Sequence, residues 1–102
     1  MTPKRRVFPR WLVDMPVRYR RGWSWSNGRT REISEGGLSV VGPSPPLGSE
    51  IEVEFGASGD PLRLPAVIKY RLASHFGVQF LRVRRADRLS LSEILGAQLP
   101  QA

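Results

Sequence analysis

The stretch Val13-Asp14-Met15-Pro16-Val17-Arg18-Tyr19-Arg20 decides the fold class. Val13, Met15, Val17 and Tyr19 alternate with Asp14, Pro16, Arg18 and Arg20, the period of two that a half-buried strand shows and a helix does not. Pro16 has no N–H to give to a ladder, so the strand is expected to run along an edge or through a bulge there. The odd parity continues through Trp23 and Trp25 to Asn27-Gly28, where the sequence predicts a tight hairpin turn. The chain then returns along Arg29 to Ile33.

Further strands follow at turn-length intervals. After the turn Ser34-Glu35-Gly36-Gly37, Leu38 to Val41 is a short apolar strand, and Gly42-Pro43-Ser44-Pro45-Pro46-Leu47-Gly48 is an irregular loop. Ile51, Val53 and Phe55 alternate with Glu50, Glu52 and Glu54, predicting one buried face and one acidic, wet face. A longer strand is expected with Leu62, Leu64, Ala66, Ile68, Tyr70 and Leu72 inward and Arg63, Lys69 and Arg71 outward. The last strand is expected from His75 to Val83, with Gly77 marking a close approach of backbones. The period then changes. Ser90 and Glu93 read as a capping box, Leu89 and Ile94 as its hydrophobic staple, and Leu91, Leu95 and Leu99 recur at helical spacing.

Six strands and one helix describe a mainly β fold, a six-stranded antiparallel β-barrel with a short C-terminal α-helix. At 102 residues the chain is long enough for one core and too short for two. The expected organisation is a single domain over 1–102, with an extended N-terminal arginine arm over 1–11, the barrel over 12–83 and the helix over 85–99.

Composition narrows the function. Forty per cent apolar residues, with three Trp, four Phe and two Tyr, fit a folded protein. The absence of Cys excludes disulfides, thiolate metal sites and cysteine nucleophiles, and fits a cytoplasmic protein. No apolar run approaches the ~20 residues that cross a bilayer, and no signal peptide is expected. The sole histidine, His75, has no cluster of carboxylates beside it, and Ser34 has no partner in the sequence that would activate it. Glu50, Glu52 and Glu54 share a strand face, where carboxylates more often solvate an edge than hold a metal. The expectation is no enzyme, no catalytic residue, no metal site and no cofactor.

Charge points to a partner instead. The net charge is +7, and residues 1–31 hold nine of the 16 basic side chains against one acid, Asp14. A phosphate-bearing partner would be drawn to that third of the chain. All but Lys4 and Lys69 of the 16 are arginine, the residue suited to planar, bidentate recognition of phosphate or a base edge. The densest run is Lys4-Arg5-Arg6-Val7-Phe8-Pro9-Arg10, in which Pro9 disfavours a continuous helix and Val7-Phe8 reads as an apolar anchor. Such a run is more often a solvated arm than a site. In an extended segment, however, Arg6 and Arg10 can fork one to a phosphate and the other to the O6 and N7 edge of a guanine.

A second element is Glu32-Ile33-Ser34-Glu35-Gly36-Gly37-Leu38. Glu32 and Ser34, two apart on an extended chain, project to one side, and a carboxylate can accept from the N1 and N2 donors of guanine. The glycines permit positive φ and close approach of the backbone to a ligand. Taken alone, the same turn reads equally as a glycine turn in which Ser34 bonds its own backbone.

In combination and in this order, Arg6-x-x-x-Arg10 followed by a strand pair and Glu32-x-Ser34-x-x-Gly37 closely resembles the PilZ domain. That family carries an Arg-x-x-x-Arg segment and an Asp/Asn-x-Ser-x-x-Gly turn on a six-stranded barrel with a C-terminal helix. Arg5 to Arg10, Leu12 to Tyr19, Ile33 to Val40 and Phe76 to Phe80 all look like family sequence. The resemblance implies a receptor for the bacterial second messenger cyclic di-GMP that signals to a downstream protein partner when the arm closes over the barrel. It implies ligand contacts from Arg6, Arg10, Glu32 and Ser34, with Gly36 and Gly37 leaving room. One position differs: Glu32 stands where the family has Asp or Asn, keeping the acceptor and adding a methylene. Arg5 is a candidate to stack on a guanine and hold a second ligand molecule. Two other readings compete. One is a basic barrel that binds single-stranded nucleic acid on Trp23 and Trp25, the less favoured because those rings are expected to pack on the barrel or under the arm. The other is a PilZ-fold adaptor that no longer binds ligand.

Overall fold

The computed structural model describes residues 10–56 and 59–96. Seven elements follow in order: β1 (Trp11–Arg21), β2 (Ser24–Ile33), β3 (Gly37–Val41), β4 (Glu50–Phe55), β5 (Leu62–Arg71), β6 (Phe76–Phe80) and α1 (Arg85–Gly96). All strand pairs are antiparallel, and the sheet closes on itself in the order β1-β2-β3-β6-β5-β4. The mainly β expectation, a closed six-stranded barrel with one C-terminal helix, is what the chain forms.

Inward residues of every strand meet in one core. Val17, Tyr19, Ile33, Val40, Val53, Leu64, Ile68 and Phe76 are almost fully buried, and Tyr19 meets Phe76 edge to face with centroids 5.3 Å apart. Leu91 and Leu95 of α1 join the same cluster, so the helix covers one side of the barrel with its apolar stripe. Pro16 lies where its missing N–H costs nothing, because β1 pairs with β4 only over Val17 to Arg20 and the β1–β2 register shifts between Leu12 and Met15.

Several local expectations fail for tertiary reasons. The hairpin does not turn at Asn27-Gly28 but at Gly22-Trp23, where Arg21 pairs with Ser24 and Gly22 takes φ +62°. A glycine in the first turn position with positive φ matches the type II′ geometry that suits twisted strands. Asn27 and Gly28 instead lie within β2, opposite Arg18 and Val17. Gly28 is there for space: a Cβ would lie 2.7 Å from the Val41 carbonyl oxygen and 2.8 Å from Val40 Cγ1.

The acidic face of β4 is not uniformly wet. Glu54 is only 7% exposed, because Arg18 of β1 and Arg63 of β5 cover it from both sides at 3.2 and 2.6 Å. Glu52 meets Arg20 at 2.8 Å. These pairs are in register, Arg18 against Glu54 and Glu54 against Arg63, so the charges form a row across three strands.

On β5 the inward parity ends at Ile68, where the register with β6 shifts before Tyr70. Tyr70 and Leu72 are exposed rather than inward. The last strand stops at Phe80, since Leu81 turns away to begin the connection to α1. The helix begins at Arg85, as expected, but not on a capping box at Ser90. Asp87, in the first turn, accepts from the N–H of Arg84 at 3.1 Å and so closes the helix start, whereas Ser90 and Glu93 lie inside the helix and Leu89 is exposed. The expected continuation through Leu99 lies outside the described residues.

Tyr19 fastens the loop after β3 to the barrel by donating its hydroxyl to the Pro43 carbonyl. Burial raises the phenol above its ordinary value of 10.0, and a bond to the Ser26 side chain pulls weakly the other way.

Two outcomes follow. Gly28→Ala should destabilise the fold by about 1 to 3 kcal/mol in urea titrations, because neither Val41 nor Val40 can withdraw without moving strand backbone. With the Tyr19 phenol raised in the folded state, the unfolded chain ionises first, so stability contributed below pH 10 is lost as pH climbs through and above that value. Tyr19→Phe should cost about 1 kcal/mol at neutral pH and lose less stability between neutral and alkaline pH than wild type.

Candidate functional site

The stretch from Glu32 to Gly37 leaves β2 and enters β3 through a turn built on a single hydroxyl. Ser34 Oγ accepts from the Gly36 N–H at 3.1 Å, and the Ser34 N–H donates to the Gly37 carbonyl at 2.9 Å. Gly36 then offers its carbonyl to the Phe80 N–H at 2.9 Å, which ties the turn to β6. Ser34 therefore does bond its own backbone, and it also lines a cavity.

That cavity, of about 330 Å³, lies beside the turn and over β3, β5 and β6. Arg10, Glu32, Ser34, Gly36 and Gly37 line it together. Residues far apart in sequence thus meet at one cavity: Arg10 enters from before β1, Glu32 from the end of β2 and the rest from the turn. Arg5, Arg6 and the Val7-Phe8 anchor lie outside the described residues. Arg10 and Glu32 are both half-buried and form an ion pair, Nη2 to Oε1. The pair holds the guanidinium at the cavity by one of its two terminal nitrogens.

The glycines act differently from the expectation. Gly36 and Gly37 are not among the positive-φ residues, which are Gly22, Gly48, Gly56 and Gly59. Gly37 provides space, since a Cβ there would lie 2.1 Å from the Val78 carbonyl oxygen on β6. Gly77 does the same for the opposite wall. A Cβ on it would fall 2.0 Å from Tyr70 Cε2, so the phenol ring lies flat across the glycine. His75 meets that ring edge to face with centroids 5.9 Å apart.

Lys69, Tyr70 and Gln79 also line the cavity and were not anticipated as site residues. Tyr70 counted as core by parity, and only the register shift after Ile68 turns it out onto the site. Gly77 was the one available signal, because a glycine between Phe76 and Val78 marks a place where something approaches closely.

The tryptophans divide. Trp25 is covered by guanidiniums, Arg18 Cζ at 4.1 Å and Arg20 Cζ at 5.0 Å from the ring centroid. Those arginines are themselves held by Glu54 and Glu52, so the side of the ring they cover is not open to stacking, although Trp25 is still 36% exposed. Trp23, expected to pack, is 97% exposed at the hairpin tip. Among the described residues no cluster of His, Cys, Asp or Glu could hold a metal ion, and no helix is long and apolar enough to cross a membrane.

Comparison with known proteins locates this arrangement. The family model described as "PilZ domain" matches residues 4–97. Three solved structures share the fold at low identity. The PilZ domain of CeSA from a cellulose-synthesizing bacterium is 19% identical, with 86% of this chain and 95% of that one covered and a TM-score of 0.71. The inhibitor of motility MotI/DgrA from Bacillus subtilis is 16% identical, with 93% and 50% covered and a TM-score of 0.74. The PilZ domain of YcgR from Escherichia coli, solved with c-di-GMP, is 13% identical, with 92% and 91% covered and a TM-score of 0.76. A search of characterised sequences finds no match.

The two wall glycines should respond unequally to Ala. At Gly37 the obstacle is backbone, so Gly37→Ala should cost about 1 to 3 kcal/mol by chemical denaturation as β3 is pushed from β6. At Gly77 the obstacle is a partly exposed ring that can swing away, so Gly77→Ala should cost less while shifting the Tyr70 ring resonances.

Proposed function

The chain belongs to the PilZ domain family, and from that membership we propose that it is a cytoplasmic receptor for cyclic di-GMP that signals to a protein partner and performs no catalysis. The observation that carries this reading is the gathering of Arg10, Glu32, Ser34, Gly36 and Gly37 around one cavity. A structural neighbour, the YcgR domain, was solved with that ligand, which supports the same assignment.

The chemistry fits a guanine nucleotide. Arg10 carries five N–H donors in a planar fork, so one edge can stay on Glu32 while the other meets a phosphate or the O6 and N7 edge of guanine. The ion pair presents Arg10 already oriented, which lowers the ordering cost of binding. It also means that phosphate competes with a carboxylate for the same guanidinium. On the opposite wall Tyr70 offers a ring to a base and Lys69 a second cation. Arg6, four residues before Arg10, would supply the second clamp from the arm, and Arg5 would stack on an exposed guanine of a second ligand molecule. Closing of the arm over the barrel is the signal, because it changes the surface a partner meets.

Calorimetry with cyclic di-GMP tests each part. Wild type should bind in the micromolar range or tighter. Arg10→Ala should bind about 10- to 100-fold more weakly, the loss expected of charge-assisted hydrogen bonds of about 1.5 to 3 kcal/mol. Glu32→Asp should change affinity without abolishing binding, because the shorter arm alters its hold on Arg10. No heat for wild type at micromolar concentration, or equal affinity in Arg10→Ala, would sink the reading. A stoichiometry of one ligand per chain, unchanged by Arg5→Ala, would remove the second molecule alone.

A further inference from the structure

A second concave surface lies at the other end of the β1–β2 hairpin. Trp11 opposes Ile33 beside the cavity described above, whereas Arg21 opposes Ser24 at the far tip, ten strand steps away. At about 3.3 Å per residue the two ends are roughly 30 Å apart. There a groove is lined by Tyr19, Arg21, Ser24, Ser26, Ser44 and prolines 43 and 45. None of its lining residues is acidic.

Charge distinguishes this groove from the rest of the hairpin. Arg18 and Arg20 are neutralised by Glu54 and Glu52, and Arg29 by Asp14 at 2.6 Å. Arg21 makes no ion pair among the described residues. Arg71 reaches the same end, where its Nε donates to Ser44 Oγ at 3.1 Å, and it too lacks a carboxylate there. The groove therefore offers uncompensated guanidinium and a row of hydroxyls, and the 97% exposed Trp23 stands at the hairpin tip between two of its lining residues, Gly22 and Ser24. Its far wall is stiff, because Pro43 and Pro45 restrict the loop and Tyr19 fastens it by the bond to the Pro43 carbonyl.

We propose that this groove docks an acidic segment of a partner protein, with a carboxylate on Arg21 and an apolar side chain against Trp23. Arg and Trp are the residues that concentrate binding energy at protein interfaces, and a preformed wall spares the ordering cost. Single-stranded nucleic acid would need successive stacking rings along a positive track. Here the neighbouring ring, Trp25, is already covered by Arg18 and Arg20. A bilayer surface would need a convex apolar face, whereas this one is concave and lined with hydroxyls. The proposal stands on the far end of the hairpin alone and is independent of the cyclic di-GMP reading.

The test is an NMR titration of the isotope-labelled chain with a short peptide of alternating glutamate and leucine. Matched arms use the glutamine–leucine peptide, oligothymidine and phosphatidylserine vesicles. Shifts should concentrate at Arg21, the Trp23 indole, Ser24, Ser26 and Ser44, and weaken with added salt. Arg21→Glu and Trp23→Ala should each lower affinity about tenfold with no change in melting temperature, since both side chains are exposed. The proposal is overturned if the acidic peptide leaves these resonances unmoved, if the glutamine peptide binds equally well, or if either variant binds like wild type. Tighter binding of oligothymidine or vesicles at the same resonances overturns it as well, in favour of nucleic acid or a membrane surface.

Discussion

Pairing of β1 with β4 closes the sheet, and the placement of everything functional depends on that closure. A closed sheet has no free edge to recruit a partner strand. A barrel of six strands is also narrower than the eight-stranded kind whose interior side chains just fill it. Tyr19, Ile33, Val40, Leu64 and Phe76 are packed into that interior. The concave surfaces lined by polar and charged residues therefore lie outside the core. The cavity at Arg10 and the groove at Arg21 lie at opposite ends of the same hairpin.

The outer cavity exists because two strands lack side chains where they would obstruct it. Gly37 lets β3 lie against the Val78 carbonyl, and Gly77 lets the Tyr70 ring lie flat across β6. Glu32 and Arg10 line the same cavity as an ion pair. Ser34 closes the turn that carries the glycines, so its hydroxyl shapes the site whether or not it touches a ligand. The fold and the site thus rest on the same few residues.

Arginine serves three ends in this chain. On β1 and β5, Arg18, Arg20 and Arg63 are held in register by Glu52 and Glu54, and two of them cap the Trp25 ring. Arg10 is held by a single carboxylate at the edge of a cavity, where a phosphate could compete for it. Arg21 is held by none among the described residues and stands beside an exposed indole. Total charge distinguishes none of these roles. The position of the nearest carboxylate across the strands does.

Much of the fold was legible because period-two alternation records which face of a strand is buried, and Val17, Tyr19, Ile51, Val53, Leu62 and Leu64 all point where their parity says. The site was legible in part, since Arg10, Glu32, Ser34, Gly36 and Gly37 follow a recognisable spacing, although the roles of its glycines did not. Alternation is silent on register. The shift after Ile68 sends Tyr70 onto the site, and the close fit of Gly28 against Val40 and Val41 keeps Asn27-Gly28 in a strand while Gly22-Trp23 takes the turn. Burial of Glu54 and the exposure of Trp23 likewise depend on strands that are distant in sequence. Alternation, charge and the motif residues can be read along the chain, because they are properties of neighbours in sequence. Which arginines meet carboxylates and which face open grooves follows from the fold, because those distances are set by the register of paired strands.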